Sequence, residues 1–513
     1  TSDNSLIIGS YIEYLHAYLD ELKIYPYART ADQIKQDYNA GLAGVSSQTG
    51  IAASFGGQSD SWMSDGLVGY WKMDEAATTT GAIDSSGNGN NGTYENTAST
   101  TGGKFGRGGI FSSSTQDYIE ISHNDSHVPN NGSWSVGLWA KIPDEPQLTP
   151  LITKRNNTSF EQWSLNVCGN SDCDSAGQKL SGIFRTNASV KRQSLSYADV
   201  TDNTWHYFMM FADESKDRTL LFMDGEELSV IEYNDGGWPT VDNTDPVQIA
   251  HNNESLYFSG QIDEVRIYNR ALELGEVKKL YEWAPGPVLH LKMDEKSGAT
   301  ANDVSGNGND GVISGASWSR GKYGNALNFD GANAVEDIPS LDIQGNFSIS
   351  AWIKPASLSG ERAIYYQASD FFVEQVNDQL WWVRVGAGCL VDGDGVQINN
   401  VVSGSVLELD QWQYATFVSD AINNRIYIYY NGEKVVDQAG KSDCVPSGSS
   451  GNVGSTNSRY FDGSIDDVRI YSYARTQKQI LEDMHNGDPM RGAVLDLSFD
   501  EGVGETVHDN SIF

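Results

Sequence analysis

The chain has 513 residues and a formal net charge of -35 at pH 7. Its length suggests two to four domains, each large enough to bury a core. The charge argues against nucleic acid and anionic membranes as partners, because their phosphates would be repelled, and it suits a surface that attracts cations such as calcium. No apolar run reaches the roughly 18 to 20 residues of a membrane span, and no signal-peptide pattern opens the sequence, so we expect a mature or excised piece.

Two sequence signatures repeat along the chain and divide it into modules. The first signature reads "GYWKMDE" at 69–75, "LHLKMDE" at 289–295 and "LDLSFDE" at 495–501. The second reads "LHAYLDELKIYPYAR" from Leu15, "FSGQIDEVRIYNRAL" from Phe258 and "FDGSIDDVRIYSYAR" from Phe461. The segments that follow from this spacing are the end of one module (1–45), a linker (46–65), a complete module (66–283, module 1), a short linker (284–288), a second complete module (289–487, module 2) and the start of another (493–513).

The partial segments at the two ends do not add up to one module. We therefore expect the sequence to be a window from a longer tandem array. The alternative is that the terminal strands pair with neighbouring chains.

Within a module the pattern predicts an all-β fold. Segments such as "SWSVGLWAKI", "FSISAWIKP", "TWHYFMMFA" and "QWQYATFVS" are rich in β-branched and aromatic residues, and Asp224-Gly225 and Asn431-Gly432 between such runs predict type I′ hairpin turns. A helix is expected only after the second signature. The sequence thus predicts tandem antiparallel β-sandwich or jelly-roll modules, each closed by a short C-terminal helix.

One acidic, glycine-rich loop occurs in both modules, as "DSSGNGNNG" at 84–92 and "DVSGNGNDG" at 303–311. Carboxylate, amide and carbonyl oxygens are the ligands that calcium takes in sixes to eights. The alternative is that the loop is an Asx-turn that caps a hairpin. In a strand, the strict alternation of "IDEVRIY" places Asp263 on the same face as Val265 and Ile267. The same count places Asp466 on one face with Val468 and Ile470. A buried aspartate needs a metal ion or backbone N–H groups.

These motifs, with "GKFGRG" at 103–108 and "GKYGNALNFDG" at 321–331, resemble the laminin-G-like jelly-roll modules of the concanavalin A-like lectin/glucanase superfamily. The resemblance covers nearly the whole chain and implies a large secreted or surface-anchored microbial protein. It also implies bound calcium near the rim of the sandwich. The implied ligands are Asp84, Asn88 and Asp263 in module 1 and Asp303, Asn307 and Asp466 in module 2. The third copy reads "DNSIF" at 509–513, where glycine is expected, so no site is carried over there.

Four cysteines fall in two pairs, Cys168 with Cys173 and Cys389 with Cys444, each pair within one module. Their spacing favours disulfides over a metal cluster, which would need a tighter C-x-x-C pattern. We therefore expect an oxidising, extracellular or cell-surface location.

Catalysis is not expected. Retaining glucanases of this superfamily resemble one another in an E-x-D-x-E strand. The strands "GQIDEV" and "GSIDDV" lack its leading glutamate, and H-E-x-x-H and G-x-S-x-G motifs are also missing from the sequence. Sugar binding needs only an exposed aromatic face and a few polar groups. The candidates are Trp238, Trp381 and Trp382, of which the last two are adjacent in a predicted strand and so point to opposite faces; the alternative for each is core or edge packing.

Two functions remain open. In the first, calcium-stabilised modules build a fibre, stalk or surface coat, with copies of the chain as partners. In the second, the modules are lectin-like adhesins that bind glycans. The sequence favours the first, because the residues that repeat are framework strands and the acidic loop. A shared glycan site would keep the same aromatic residues in both modules, but Trp381 and Trp382 correspond to only a single tryptophan, Trp163, at the matching place in module 1.

Overall fold

The computed structural model of the chain contains two compact units, one of Thr1–Gln48 with Lys478–Phe513 and one of Thr49–Gln477. The residues that the structure describes are 22–24, 63–76, 81–128, 133–143, 149–155, 161–168, 177–187, 190–213, 217–234, 244–252, 256–341, 343, 345–367, 371–384, 400–439, 450–456, 458–484 and 495–497.

Module 1 is built almost entirely of strands. In chain order they are β2 (Leu67–Trp71), β3 (Gly92–Glu95), β4 (Ser99–Gly102), β5 (Arg107–Phe111), β6 (Tyr118–Ile121), β7 (Trp134–Lys141), β8 (Thr149–Arg155), β9 (Glu161–Cys168), β10 (Lys179–Asn187), β11 (Val190–Asp199), β12 (Trp205–Asp213), β13 (Arg218–Met223), β14 (Glu226–Glu227), β15 (Val230–Asn234), β16 (Val247–Ile249) and β17 (Gly260–Tyr268). A 3₁₀ turn covers Asp125–His127, and helix α1 (Leu274–Glu282) follows β17.

Module 2 repeats this order. Its strands are β18 (Leu289–Leu291), β19 (Thr300–Ala301), β20 (Gly311–Ser314), β21 (Ser317–Arg320), β22 (Asn325–Asp330), β23 (Ala334–Ile338), β24 (Phe347–Pro355), β25 (Glu361–Gln367), β26 (Phe371–Val376), β27 (Gln379–Arg384), β28 (Asn400–Ser405), β29 (Gln413–Asp420), β30 (Arg425–Tyr430), β31 (Glu433–Ala439), β32 (Gly451–Val453) and β33 (Asp462–Tyr471). Helix α2 (Gln477–Met484) follows β33. Outside the modules lie β1 (Leu22–Ile24) and β34 (Leu495–Leu497).

Each module is a pair of antiparallel sheets of eight strands. In module 1 the β9 sheet has the order β15-β11-β10-β9-β8-β16-β6-β3, and the β7 sheet has the order β14-β13-β12-β7-β17-β5-β4, with β2 added beside β17. In module 2 the β26 sheet has the order β19-β20-β23-β32-β25-β26-β27-β28, and the β24 sheet has the order β21-β22-β33-β24-β29-β30-β31, with β18 beside β33. The predicted all-β fold of tandem jelly-roll modules, each followed by a short helix, is confirmed.

The core of each module lies between its two sheets. In module 1 the indole of Trp134 on the β7 sheet packs against that of Trp163 on the β9 sheet, with ring centroids 4.4 Å apart. In module 2 Phe347 on β24 meets Phe371 on β26 at 4.9 Å. Fully burying such side chains contributes roughly 1.5–3 kcal/mol each, so these contacts join the two sheets.

A β-bulge interrupts the regular alternation of side chains that the sequence predicts around Asp263. Glu264 has a left-handed backbone, with φ of 56°, and the pairing of β17 with β7 shifts register there. As a result Ile262, as well as Val265 and Ile267, packs in the core. The same device occurs in module 2, where Asp467 has φ of 51°.

The tight turns follow the sequence prediction. Asp224 and Gly225 have φ of 53° and 80°, and Asn431 and Gly432 have φ of 48° and 78°. Positive φ at both central residues is the requirement of a type I′ turn, which is thereby confirmed in both hairpins.

The smaller unit contains one strand pair, β1 with β34, which brings together the two signatures at opposite ends of the sequence. Leu22 lies opposite Leu497. The equivalent partners in the modules are Val265 with Trp71 and Val468 with Leu291. The three pairs therefore share one register, and within this chain the terminal signature strands pair with each other.

Modules 1 and 2 touch each other directly. The amide of Gly106 donates to the carbonyl of Ser472 at 2.9 Å, and the ring of Phe105 lies 5.1 Å from that of Tyr473. The Tyr473 hydroxyl donates to the carbonyl of Pro285, in the short linker, at 3.0 Å. The short linker and the segment 103–108 of module 1 thus contact one face of module 2.

Two sequence predictions reach only partly into the described residues. Cys168 ends β9 and is buried, whereas Cys173, Cys389 and Cys444 lie outside the described residues, so the disulfide pairing stays a prediction. Among the described helices, none has the length and apolar composition needed to cross a bilayer.

Candidate functional site

The repeated acidic loop of module 1 is organised around one carboxylate. Asp84 Oδ1 accepts the backbone N–H of Tyr70 at 3.0 Å and that of Ser86 at 2.9 Å, and its Oδ2 accepts the N–H of Asn90 at 2.9 Å. These three bonds tie the turn to β2. Bonds from amides to a carboxylate are the stronger class of hydrogen bond, so Asp84 holds the loop in place.

Module 2 repeats the same bonds. Asp303 Oδ1 accepts from the N–H groups of His290 and Ser305, both at 2.9 Å, and Oδ2 accepts from Asn309 at 2.9 Å. The repeated sequence therefore encodes a repeated hydrogen-bond network.

The asparagines of the loop also bond within the protein. Asn88 Nδ2 donates to the carbonyl of Leu67 and to Ser86 Oγ, both at 3.0 Å. Asn307 Nδ2 donates to the carbonyl of Val288 at 3.2 Å and to Ser305 Oγ at 3.0 Å. This geometry is that of the alternative reading, a side-chain-capped turn.

The buried aspartates of the second signature hold a different loop. Asp263 Oδ2 accepts the N–H of Phe105 at 3.0 Å. Asp466 Oδ2 accepts those of Lys322 and Tyr323 at 2.7 and 3.0 Å. Backbone N–H groups, one of the two partners expected from the sequence, thus bind these carboxylates.

The other carboxylate oxygen of each, Oδ1, is buried without a hydrogen-bond partner among the described residues. Burial raises the pKa of Asp263 well above its usual value, and it raises the pKa of Asp466 to about 8. A proton on these carboxyl groups near neutral pH removes part of the cost of burying a charge.

The predicted calcium ligands therefore serve two separate backbone networks, one around Asp84 and one around Asp263. Within the described part of the chain, no group of three or more His, Cys, Asp or Glu side chains is arranged to hold a metal ion. A calcium cage needs six to eight oxygens, which these carboxylates do not supply by themselves. Calcium binding stays a prediction.

The tryptophan candidates separate as adjacent strand residues should. Trp382 is 1% exposed and packs in the core against Phe347 and Phe371, with centroid distances of 5.5 and 6.2 Å. Trp381 points to the opposite face of β27 and is partly exposed. Trp238 lies outside the described residues. Of the adjacent pair, Trp381 is the side chain that can meet a ligand.

Around Trp381 the outward-facing side of the β26 sheet carries further aromatic and charged groups. Glu374 on β26 lies directly opposite Trp381, and Phe372 lies opposite Tyr366 on β25. Directly opposed residues project from the same face of a sheet. The rings of Tyr366 and Phe372 lie 6.4 Å apart. Their immediate neighbours Phe371, Val373 and Trp382 fill the core instead.

Arg459 connects the charged groups of this face. Its Nη1 lies 2.9 Å from both carboxylate oxygens of Glu374, and its Nη2 lies 2.7 Å from Glu361. The guanidinium also lies 4.9 Å from the centroid of the Phe372 ring. Burial raises the pKa of Glu374 to about 7, against the opposing effect of Arg459. We call the surface formed by Tyr366, Phe372, Glu374, Trp381 and Arg459 the Trp381 face.

The sequence pattern predicts Trp381 as a binding residue but not its companions on the same face. The signal that could have found them is the alternation in "FFVEQV", where Phe372 and Glu374 occupy one set of positions and Phe371 and Val373 the other. Arg459 is distant in sequence, and only the sheet order brings it to β26.

Module 1 carries other residues at the same positions of its β9 sheet. Asn166 lies opposite Ser181, and Ser164 lies opposite Thr153. All four are at most 1% exposed. Asn166 Nδ2 donates to Ser164 Oγ at 2.8 Å, and Thr153 donates to the carbonyl of His251 at 2.8 Å. The aromatic and charged face is thus particular to module 2.

Comparison with solved structures gives low-scoring likenesses. The binding domain of Paraclostridial Mosquitocidal Protein 1 is 13% identical, with 79% of this chain and 92% of that chain covered and a TM-score of 0.37. Domain 4 of AbnA, a GH43 extracellular arabinanase from Geobacillus stearothermophilus solved with arabinotriose, is 21% identical, with 39% and 98% covered and a TM-score of 0.32. The CBM40 of a Ruminococcus gnavus IT-sialidase, bound to α2,3 sialyllactose, is 16% identical, with 30% and 84% covered and a TM-score of 0.25. None of these likenesses carries an argument about ligands.

Among curated proteins, none matches this sequence. The model of one protein family, described as Concanavalin A-like lectin/glucanases superfamily, matches residues 113–278 and 328–481. These two stretches cover most of both modules and more than half of the chain. The chain belongs to the concanavalin A-like lectin/glucanases superfamily.

Proposed function

We propose that this chain is a non-catalytic, extracellular binding protein that takes a glycan on the Trp381 face of module 2. The observation that carries the proposal is the partly exposed indole of Trp381 directly opposite the Glu374 carboxylate on the neighbouring strand. A pyranose ring offers an apolar C–H face and a rim of hydroxyl groups. An aromatic ring beside charged hydrogen-bonding groups suits both.

The rest of the face supports the same ligand. Arg459 supplies N–H donors and Glu361, whose side chain is 52% exposed, supplies acceptor oxygens, so hydroxyl groups of either orientation find a partner. Tyr366, which is partly exposed, extends the aromatic surface beyond one ring, and the buried ring of Phe372 packs beside it. Because Glu374 and Arg459 already bond to each other, the face is ordered before the ligand arrives, which reduces the entropy that binding costs.

The test is a glycan array on the full chain, followed by calorimetric titration of the best ligand. Trp381→Ala is expected to weaken binding at least about tenfold, because it removes the stacking surface. Trp318→Ala is the matched control. Trp318 is also partly exposed in module 2, but it lies on β21 in the opposite sheet. Equal binding by both variants, or an array without any bound glycan, contradicts the proposal.

A second candidate function is structural, with the two modules serving as a stiff segment of a fibre, stalk or coat. The contact of Phe105 with Tyr473 and the bond from Gly106 to Ser472 favour it, because they fasten one module to the next. Small-angle scattering of the parent and of Tyr473→Ala would test this stiffness. An unchanged scattering profile for the variant contradicts it.

A further inference from the structure

The Trp381 face has one cationic side chain, Arg459, and this side chain is already paired with carboxylates of the protein. Arg459 Nη1 contacts both oxygens of Glu374 at 2.9 Å, and Nη2 contacts Glu361 at 2.7 Å. The Glu374 side chain is 2% exposed, whereas that of Glu361 is 52% exposed. Arg459 therefore joins one buried and one exposed carboxylate.

This arrangement determines the charge that a ligand meets. One guanidinium with two carboxylates leaves the cluster one unit negative when all three groups are ionised, which holds above the raised Glu374 pKa of about 7. The chain as a whole carries a formal charge of -35, so its long-range field adds to the same sign. A ligand with a carboxylate would approach against both.

Recognition of acidic sugars also needs geometry that this face does not offer. An arginine binds a carboxylate best with two parallel N–H groups. On Arg459 the two terminal nitrogens are already divided between Glu374, which is bound by Nη1, and Glu361, which is bound by Nη2. A sugar carboxylate that displaced Glu374 would leave a buried charge without its partner, which is strongly unfavourable.

Neutral hydroxyl groups face no such competition. They can donate to the exposed carboxylate of Glu361 and accept from the guanidinium without breaking the ion pairs, since each carboxylate oxygen has two lone pairs. The ring of Phe372 lies 4.9 Å from the guanidinium and limits its reorientation.

We infer that the Trp381 face selects neutral glycans and rejects glycans that carry carboxylates, such as those ending in sialic or uronic acids. The inference rests on the proposed function and adds the chemical class of the ligand. Trp381 and Tyr366 supply the aromatic surface, and the ion pair of Arg459 and Glu374 supplies the selectivity.

The experiment compares neutral, carboxylated and amino-sugar glycans on one array, with the full chain, Trp381→Ala, Glu361→Gln and Glu433→Gln. Neutral glycans are expected to bind, and Trp381→Ala is expected to lose them. Glu361→Gln should raise the ratio of carboxylated to neutral binding by up to about fivefold, the size typical of one exposed charge pair. Glu433→Gln removes an exposed carboxylate from β31, in the other sheet, and should leave the ratio unchanged.

The outcomes separate the two proposals. Binding of carboxylated glycans in preference to neutral ones, lost in Trp381→Ala, overturns the selectivity but keeps the site, whereas amino sugars that bind at least as well as neutral glycans support it, because their positive charge suits the negative cluster. An array with no bound glycan overturns the site and the selectivity together. A ratio that moves equally in Glu361→Gln and Glu433→Gln shows that overall charge, not the Arg459 cluster, sets the preference, and it also overturns the inference.

Discussion

Modules 1 and 2 share the order of their central strands and their acidic loop, yet they differ at four equivalent positions of one sheet face. The residues in module 2 are Tyr366, Phe372, Glu374 and Trp381, and those in module 1 are Thr153, Ser164, Asn166 and Ser181. In module 1 small polar groups bond to one another and to the backbone. In module 2 the same positions carry three aromatic rings and the carboxylate that pairs with Arg459, and of these side chains Tyr366 and Trp381 are partly exposed. Repetition therefore marks what the fold needs, and divergence marks where the modules can differ in function.

The largest expected effect comes from giving module 2 the residues of module 1. In the double variant Glu374→Asn with Trp381→Ser, we expect glycan binding to fall at least about tenfold, because the stacking surface and the carboxylate that holds Arg459 in place are both lost. Calorimetric titration measures the loss, and a melting curve checks that the variant stays folded. Ser181→Ala in module 1 is the matched control and should bind as the parent does. Undiminished binding by the double variant would contradict the assignment of glycan binding to these positions of module 2.

Arg459→Ala tests how far the ion pair of the Trp381 face supports the fold. Removal of one partner of a buried pair leaves the other uncompensated, so we expect module 2 to lose about 3 kcal/mol of unfolding free energy near pH 8. The pKa of Glu374 is already raised to about 7, so the loss should shrink in acid, where the carboxyl group takes up a proton.

The control for this experiment is Arg425→Ala. Arg425 pairs with Asp437 at 2.6 Å, and both side chains are about two-fifths exposed, at 43% and 39%. A surface pair of this kind contributes about 0–1 kcal/mol. Similar losses from the two arginine variants in urea titrations contradict a structural role for the buried pair.

The shared acidic loop predicts a matched loss in both modules. Asp84→Ala and Asp303→Ala each remove a carboxylate that accepts three backbone N–H groups, so we expect each module to lose about 2 kcal/mol. Chemical denaturation that follows each module measures this. A loss in only one module would show that the repeated bonds are not equivalent.

The calcium proposal is tested on the same variants. Calcium that binds only the folded chain must raise its melting temperature. The rise should vanish in the double variant Asp84→Ala with Asp263→Ala, which should melt at the same temperature in calcium and in chelator. Equal melting of the parent in calcium and in chelator leaves backbone capping as the whole role of the loop.

The sequence predicted the framework better than the binding face, for a physical reason. Period-two alternation and the turn dipeptide Asn431-Gly432 act locally, so strands and hairpins could be predicted from short windows. The bulge at Glu264 reversed the expected side-chain direction, because one left-handed residue breaks alternation without a glycine to signal it. Arg459 reaches Glu374 only through pairing of strands far apart in the chain, which no local pattern encodes.

The buried aspartates of the second signature predict that the stability of both modules depends on pH. The pKa of Asp466 is raised to about 8 and that of Asp263 well above its usual value, so the folded chain keeps protons that the unfolded chain releases near pH 4. The stabilisation is therefore complete in acid, below the unfolded pKa, and is lost as the pH rises toward 8. Melting temperatures from pH 5 to 8 should fall, and Asp466→Asn should flatten that slope for module 2 while module 1 keeps it. A slope that Asp466→Asn does not change would place the proton elsewhere and remove Asp466 from the account.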